Sequence, residues 1–251
     1  MNCPKCGHEQ NDENRECLRC GLIFSRYKPL DYNLLLKRQA SLEAGKRSRL
    51  KRAFDYMFHT KDKIEVVYFI GRLVVFLFLF IWSIKFFQSS IESNYVGRSF
   101  MHLVNLPFHE TGHIVLRPLG RVMQSLGGSL GQVIMPLICI LVLLIKTRDT
   151  FGASIGLWWM GESILDMAPY IDDARSLSLQ LLGGNTGVSS PYGFHDWNFV
   201  LSELNLLKHD HLIADLAAVG GKLIMFISLL WGLLLLIRQF KRLKNPQERN
   251  S

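Results

Sequence analysis

The pattern HETGH at residues 109–113 places two imidazoles and a carboxylate on one turn of a predicted helix. Positions i and i+4 of an α-helix lie on the same face, so His109 and His113 can both bind one zinc ion. Glu110 then points beside the metal, where it can take a proton from an activated water and pass it to a leaving amine. These residue types at this spacing indicate a metal-dependent peptidase.

The same residues have an alternative interpretation as a buried structural cluster of polar groups. Their neighbours are apolar, among them Leu103, Leu106 and Val115. Ionisable groups in such surroundings are costly unless a metal ion or hydrogen-bonding partners satisfy them. Because ionisable residues inside membrane segments commonly carry function, the sequence favours a metal site.

A catalytic zinc site needs a third protein ligand and leaves one coordination position open for water. A later apolar segment carries Glu162 and Asp166 on one helical face, where carboxylates are costly without a partner. We predict Asp166 as the third ligand. Spacing along the chain does not separate it from four further candidates, which are Asp172, Asp173, His195 and Asp196.

A second set of metal ligands occupies the N-terminus. Two CxxC pairs, each followed by a glycine, bring together Cys3, Cys6, Cys17 and Cys20. Four cysteines at this spacing predict a zinc ribbon with a closed, structural Cys₄ site. Disulfides are the alternative, but the polar N-terminus predicts no signal peptide, and the basic flank indicates a reducing cytosol. The fifth cysteine, Cys139, falls in an apolar segment and is predicted to be a core residue.

The composition of the chain and its apolar segments indicate which elements must position these sites. The chain has 251 residues, of which 49% are hydrophobic, and a mean hydropathy of +0.15. This is too apolar for a typical soluble protein and too charged for a chain lying wholly in a membrane. We predict a mainly α, polytopic membrane protein with four or five segments and a small N-terminal zinc ribbon. The segments are Val66–Phe87, 131–145 with its flanks, 151–168, 216–237, and a weaker one at 96–116 that contains HETGH.

The net charge of +8 is concentrated before the first apolar segment. Such a run next to a span predicts a cytoplasmic N-terminus that meets anionic lipid head groups; nucleic acid is the less favoured partner. The predicted domains are a ribbon at 1–25, a basic juxtamembrane helix or linker at 26–63, a membrane metalloprotease-like domain at 64–240, and a basic tail at 241–251. The basic residues before the first span are Arg26, Lys28, Lys37, Arg38, Lys46, Arg47, Arg49, Lys51, Arg52, Lys61 and Lys63.

Charge also bears on the number of crossings. Five crossings would put the N-terminus and the basic C-terminal tail on opposite sides, against the positive-inside tendency. Four crossings, with the HETGH segment re-entrant, would keep both basic ends in the cytosol. The sequence leaves this choice and the side of substrate entry open.

The glycine-rich run at 127–132 predicts close packing against the HETGH helix, or a place where extended substrate backbone is admitted. With HETGH on a membrane segment and Asp166 near Pro169 at the end of a later span, the chain resembles the site-2 protease family of intramembrane zinc metalloproteases. The resemblance covers residues 98–175 and implies that His109, His113 and the aspartate hold zinc while Glu110 is the general base. Met167 stands where the family pattern has glycine, and the distance from motif to aspartate is short.

These observations predict a zinc-dependent intramembrane endopeptidase with one catalytic and one structural zinc ion. Its substrate would be a membrane protein, and the ribbon would bind a cytosolic protein partner. One rival is a non-catalytic, membrane-tethered ribbon protein that binds a protein, lipid or nucleic acid; another is a metal-ion transporter.

The His209-Asp210-His211 trio is predicted to be an exposed, solvated cluster. No motif of the sequence specifies a substrate or an oligomeric state.

Overall fold

The computed structural model describes residues 1–26, 45–48, 51–60, 65–181, 184–189 and 195–244. The chain divides into two compact units, Met1–Asp55 and Tyr56–Ser251. The described residues are mainly helical, as predicted, with isolated β-bridges in place of named strands. Much of the predicted linker at 26–63 lies outside the described residues, but 45–48 and 51–57 are helical. The predicted tail at 241–251 is described only to Lys244, where the last helix ends.

The N-terminal unit is built from two similar knuckles, one for each CxxC pair. In the first, the Gly7 N–H donates to the carbonyl of Cys3 at 2.9 Å; in the second, the Gly21 N–H donates to the carbonyl of Cys17 at 2.8 Å. Both glycines have left-handed backbone angles, with φ of +70° and +68°. Other residues are strained in this conformation, which explains the glycine after each pair.

Three helices of the second unit are long and apolar enough to cross a membrane, which confirms the three clearest predicted spans. They are α1 (Val66–Gln88), α3 (Arg121–Ile145) and the region Leu207–Lys244, which contains α6 (Asp210–Lys244). Large apolar side chains on α1, such as Val67 and Ile81, are exposed. Because lipid is the solvent that suits such a surface, the protein is a membrane protein.

The two weaker predicted segments also form helices, α2 (Phe100–Leu116) and α4 (Thr150–Asp172), but they are not among these three. Most of α4 is buried between α3 and α6. Gly161 of α4 meets Gly221 of α6 so closely that a Cβ on Gly161 would lie 2.8 Å from the Gly221 carbonyl oxygen. Enclosure by neighbouring helices explains how α4 can carry polar residues that a lipid-facing helix could not.

The HETGH helix α2 packs against the start of α3 through glycines. A Cβ on Gly112 would lie 1.9 Å from the carbonyl oxygen of Gly127, and a Cβ on Gly131 would lie 2.2 Å from that of Phe108. The backbones therefore touch directly, which confirms that the glycine-rich run packs against the motif helix. A short helix, α5 (Asp196–Glu203), follows α4 and packs against α3.

Candidate metal centre

Three metal-ligating side chains of the membrane unit converge on one point. His109 and His113 share a face of α2, and Asp196 begins α5 beside them. The Asp196 Oδ2 atom lies 3.7 Å from His109 Nε2 and 3.3 Å from His113 Nε2. Tetrahedral zinc with bonds of about 2.0–2.1 Å separates its ligand atoms by about 3.3–3.4 Å. The two distances to Asp196 are close to this separation, and the ligand atoms of all three residues lie within 4.8 Å of one another, so the group could hold a metal ion.

The hydrogen bonds of the histidines determine which ring nitrogen faces this point. His113 Nδ1 lies 2.8 Å from the backbone carbonyl oxygen of Gln124. A carbonyl oxygen only accepts, so Nδ1 carries a proton, and in the neutral ring Nε2 presents a lone pair.

His109 is oriented in the same way by a side chain of α3. Its Nδ1 lies 3.0 Å from Gln132 Oε1, and Gln132 Nε2 donates to the carbonyl oxygen of Ser163 at 2.9 Å. The bond to Ser163 fixes the amide so that its oxygen accepts from His109, and His109 Nε2 also presents a lone pair. Acceptors placed behind metal-binding histidines hold the rings and increase their basicity in this manner.

Two lone pairs and a carboxylate that face one another repel unless a cation lies between them. A single proton on His113 would satisfy that imidazole and leave the lone pair of His109 without a partner. A divalent metal ion satisfies all three groups, so the residues present fit a metal with an open coordination position.

Asp196 is itself held firmly. Its Oδ1 accepts from Ser125 Oγ at 2.8 Å, and its Oδ2 accepts from Tyr170 OH at 3.2 Å. The Asp196 backbone N–H donates to the same Tyr170 oxygen at 3.1 Å. These contacts join the start of α3, the end of α4 and the start of α5, so the carboxylate is positioned by three elements.

The structure places Asp166, our first choice for the third ligand, in a different cluster. Its carboxylate lies 3.0 Å from His102 Nδ1 and accepts from Asn105 Nδ2 at 3.1 Å. Asn105 Nδ2 also donates to the fully buried Glu162 at 3.0 Å. The physical reason for the correction is that α4 passes the beginning of α2, whereas the two motif histidines lie farther along α2 and face α5.

The other carboxylate candidates are also occupied elsewhere. Asp173 accepts from the backbone N–H groups of Ser178 and Leu179 at 2.8 and 3.0 Å. Burial would raise the pKa of Asp173, but these bonds, with that of Ser176, lower it. Asp172 pairs with His211. Both carboxylates therefore stabilise the part of the chain that follows α4, away from the two motif histidines.

His195 contributes through Asp196 and not as a ligand of the three-residue group. Its Nδ1 accepts from the Asn198 N–H at 3.2 Å and so caps α5, while its Nε2 lies 3.4 Å from Asp173 Oδ2. Trp197 Nε1 donates to Ser129 Oγ at 3.1 Å, which attaches α5 to the glycine-rich start of α3. Residues 195 and 197 therefore position Asp196, the third residue of the group. No spacing rule relates the run 195–197 to HETGH.

The candidate metal centre opens into a cavity of about 660 Å³. Glu110 lines this cavity and is exposed, and its carboxylate makes none of the side-chain hydrogen bonds found among the described residues. Its carboxylate is therefore available to a water molecule beside the metal point. Asp166 of α4 and His102, near the beginning of α2, line the same cavity.

The His209-Asp210-His211 trio is exposed at both histidines, as predicted, but not at Asp210. Asp210 is fully buried and accepts from Arg175 Nε at 2.8 Å, while His211 pairs with Asp172. These pairs tie the start of α6 to the end of α4.

The four ribbon cysteines form a second group that could hold a metal ion. Cys3 Sγ lies 3.8 Å from Cys20 Sγ, and Cys6 Sγ lies 3.6 Å from Cys17 Sγ. Tetrahedral zinc with Zn–S bonds of about 2.3 Å separates its sulfurs by about 3.8 Å. Burial would raise the pKa of Cys17, but backbone N–H groups of Cys20 and Arg19 lower it to about 6, which favours a thiolate. All the cysteines are free, so the disulfide alternative is not realised.

Comparisons with known proteins add no relative: no family model, no curated protein and no solved structure matches this chain.

Proposed function

We propose that the protein is a zinc-dependent membrane endopeptidase that cleaves peptide bonds of membrane proteins within or next to the bilayer. The observation that carries this proposal is the convergence of two Nε2 lone pairs and the Asp196 carboxylate beside the free carboxylate of Glu110. Two histidines and one carboxylate are a ligand set of catalytic zinc sites. A structural site would be expected to close its fourth position, which here faces a cavity.

The chemistry divides between the metal and the residues of the chain. Zinc, when bound, would polarise the scissile carbonyl and acidify a water molecule. Glu110 would accept the proton of that water and deliver it to the departing amine. This role needs a carboxylate without a side-chain partner, and among the described residues Glu110 has none. Gln132 and the Gln124 carbonyl would keep the imidazoles aligned, and Tyr170 would hold Asp196.

The cavity walls would supply binding. A membrane-embedded helix has its own backbone hydrogen bonds, so it must unwind before a peptide bond reaches a catalytic centre. The polar groups of the cavity, including His102 and Gln180, would replace the hydrogen bonds that the unwound segment loses. Within this scheme α2 and α4 are further membrane-embedded helices, in addition to the three that are apolar enough to span.

The test is Glu110→Gln in the full chain, with Glu203→Gln as a matched control on the exposed surface of α5. Membranes from cells that produce each form are compared for newly generated N-termini of membrane proteins. Glu110→Gln should keep both zinc ions, measured by elemental analysis of the purified protein, and lose all new N-termini. Unchanged N-termini in Glu110→Gln would overturn the proposal, and a protein with only the ribbon zinc would favour the tethered-ribbon alternative.

A further inference from the structure

One end of the membrane unit is defined by contacts of residues 56–60. Tyr56 OH donates to the Leu144 carbonyl oxygen at 2.8 Å, at the end of α3. Thr150 Oγ1 donates to the His59 carbonyl oxygen at 2.7 Å, at the start of α4. Trp231 Nε1, in the later part of α6, donates to the Met57 carbonyl oxygen at 3.1 Å. The ends of α3 and α6 and the start of α4 therefore lie together, and we call this the basic end.

The start of α1 lies at the basic end as well. Arg72, in the second turn of α1, pairs with Asp149 at 3.0 Å, just before α4. The ring centroid of Phe69 lies 6.1 Å from that of Phe240, near the end of α6. Four helix termini thus meet at one end of the bundle.

The opposite end, which we call the site end, collects the other termini. Lys222 of α6 donates to the carbonyl oxygens of Phe87 and Ser89 at 3.3 and 2.7 Å, so it caps the end of α1. The end of α4 meets the start of α6 through the ion pair of Arg175 with Asp210. The start of α3 meets α5 through Ser125 and Asp196.

This arrangement decides how many times the chain traverses the bundle. Helix α1 runs from the basic end to the site end, and α3 starts at the site end and runs back. The intervening α2 therefore begins and ends at the site end and does not traverse the bundle. Since α4 and α6 complete a second pair of traverses, the count is four, with α2 re-entrant. At 17 residues, α2 is about 25 Å long, which is shorter than a hydrocarbon layer of about 30 Å.

Charge distinguishes the two ends. The described helix ends and connections carry lysines and arginines at both ends, so the difference comes from the flank of α1. The basic residues that directly precede α1 in the sequence, among them Arg52, Lys61 and Lys63, add to the cations of the basic end, and no such run adjoins a helix terminus of the site end. Basic residues of short loops and helix ends remain on the cytoplasmic side. The cations at the basic end are Arg72, Lys146, Arg148, Arg238, Lys241, Arg242 and Lys244.

The cavity opens at the site end. Its walls include Asn94 and Gly97, from the connection between α1 and α2, and Leu179–Leu181 and Gly184, from the connection after α4. Both connections lie at the site end, so a peptide entering between them arrives from that side.

We infer that the catalytic cavity faces the compartment across the membrane from the cytoplasm, and that its substrates are membrane-protein segments presented at that non-cytoplasmic face. The substrate class rests on the proposed function, whereas the orientation rests on the helix directions and the charges alone. The substrate segment would unwind in the outer half of the bilayer, where α2 dips in from the same side.

The orientation is tested with two matched single substitutions in the full chain carrying Cys139→Ser. Lys208 lies in an exposed turn at the site end, and Lys146 lies in the exposed connection at the basic end. Each is replaced by cysteine separately, as Lys208→Cys and Lys146→Cys. Spheroplasts of a bacterial host are treated with a membrane-impermeant maleimide, and labelling is compared with the parent that lacks either new cysteine. Lys208→Cys should be labelled in intact spheroplasts, and Lys146→Cys only after permeabilisation. Protection of Lys208→Cys, or labelling of Lys146→Cys, in intact spheroplasts overturns the inference.

The substrate class has a separate readout. New N-termini that disappear in Glu110→Gln should map to the non-cytoplasmic half or flank of substrate spans. A concentration of cuts in the cytoplasmic half would overturn this inference while leaving the peptidase proposal intact. Absence of any Glu110-dependent cut would instead overturn the peptidase and, with it, the substrate class, while the labelling result would stand.

Discussion

The two candidate metal sites of this protein differ in how the chain assembles them. The ribbon takes all four ligands from two short, nearly identical knuckles, and its sulfurs surround the metal position on every side. The membrane site takes two ligands from one turn of α2 and the third from the distant start of α5, and one side faces a cavity. Ligands that are close together in the chain form the closed site, which is typical of structural zinc. Ligands that are far apart in the chain form the open site, which is typical of catalytic zinc.

The supporting contacts differ in the same sense. The ribbon sulfurs are supported by backbone N–H groups of their own knuckle, such as those of Arg19 and Cys20 beside Cys17. The imidazoles and Asp196 depend on side chains of other helices, among them Gln132, Ser125 and Tyr170. We therefore expect the membrane site to respond to substitutions far along the chain, and the ribbon to respond only to its own residues.

The largest effect is expected on zinc content when Asp196 and Asp166 are substituted separately. Asp196→Ala removes a ligand, so the purified protein should contain one zinc ion instead of two and should lose proteolysis. Asp166→Asn, the matched substitution of the carboxylate beside His102, should retain both ions because it removes no ligand. Elemental analysis of both variants measures this, and loss of an ion from Asp166→Asn with retention in Asp196→Ala would reverse the assignment.

The next effect isolates the ribbon. Cys17→Ser should remove the other zinc ion and make residues 1–26 sensitive to protease, since a unit of this size depends on its metal to fold. The membrane site should keep its ion and its Glu110-dependent cleavage of a purified substrate. Limited proteolysis followed by mass spectrometry locates the cut. A simultaneous loss of both ions would contradict the independence of the two sites.

A smaller effect is expected from the residue behind His109. Gln132→Leu removes the acceptor for His109 Nδ1, and loss of such a partner typically weakens metal affinity about 10–100-fold. Competition with a zinc chelator measures the affinity of the membrane site, using protein whose ribbon is already saturated. Gln180→Leu, at the cavity wall, provides the control and should leave the affinity unchanged.

The smallest effect concerns the glycine contact between α2 and α3. Gly112→Ala would place a Cβ 1.9 Å from the Gly127 oxygen, so the helices must separate, and overpacking typically costs about 1–3 kcal/mol. Gly220→Ala is the control because a Cβ there meets nothing within 4 Å. Thermal unfolding in detergent compares the two variants. Equal midpoints would show that the contact between α2 and α3 relaxes freely.

Local patterns were enough for the parts of the protein in which neighbours along the chain are also neighbours in space. The knuckles at Cys3–Gly7 and Cys17–Gly21, the shared face of His109 and His113, and the three most apolar spans were all predicted from spacing or composition. The structure places Asp196, one of the predicted alternatives, beside the two histidines. Asp166 was our first choice because an apolar helix gives every buried carboxylate the same cost. Sequence does not reveal that His102 and Asn105 meet it there.

By itself, then, the sequence determined the ligand types, the ribbon, and the helices that lipid requires, because periodicity and residue chemistry act over a few positions. Tertiary structure alone decided that Asp196 lies beside His109 and His113 and that α2 begins and ends at one end of the bundle. Both outcomes depend on helix directions and on contacts such as Lys222 with the end of α1 and Ser125 with Asp196. These contacts join residues far apart in the chain, where no spacing rule applies.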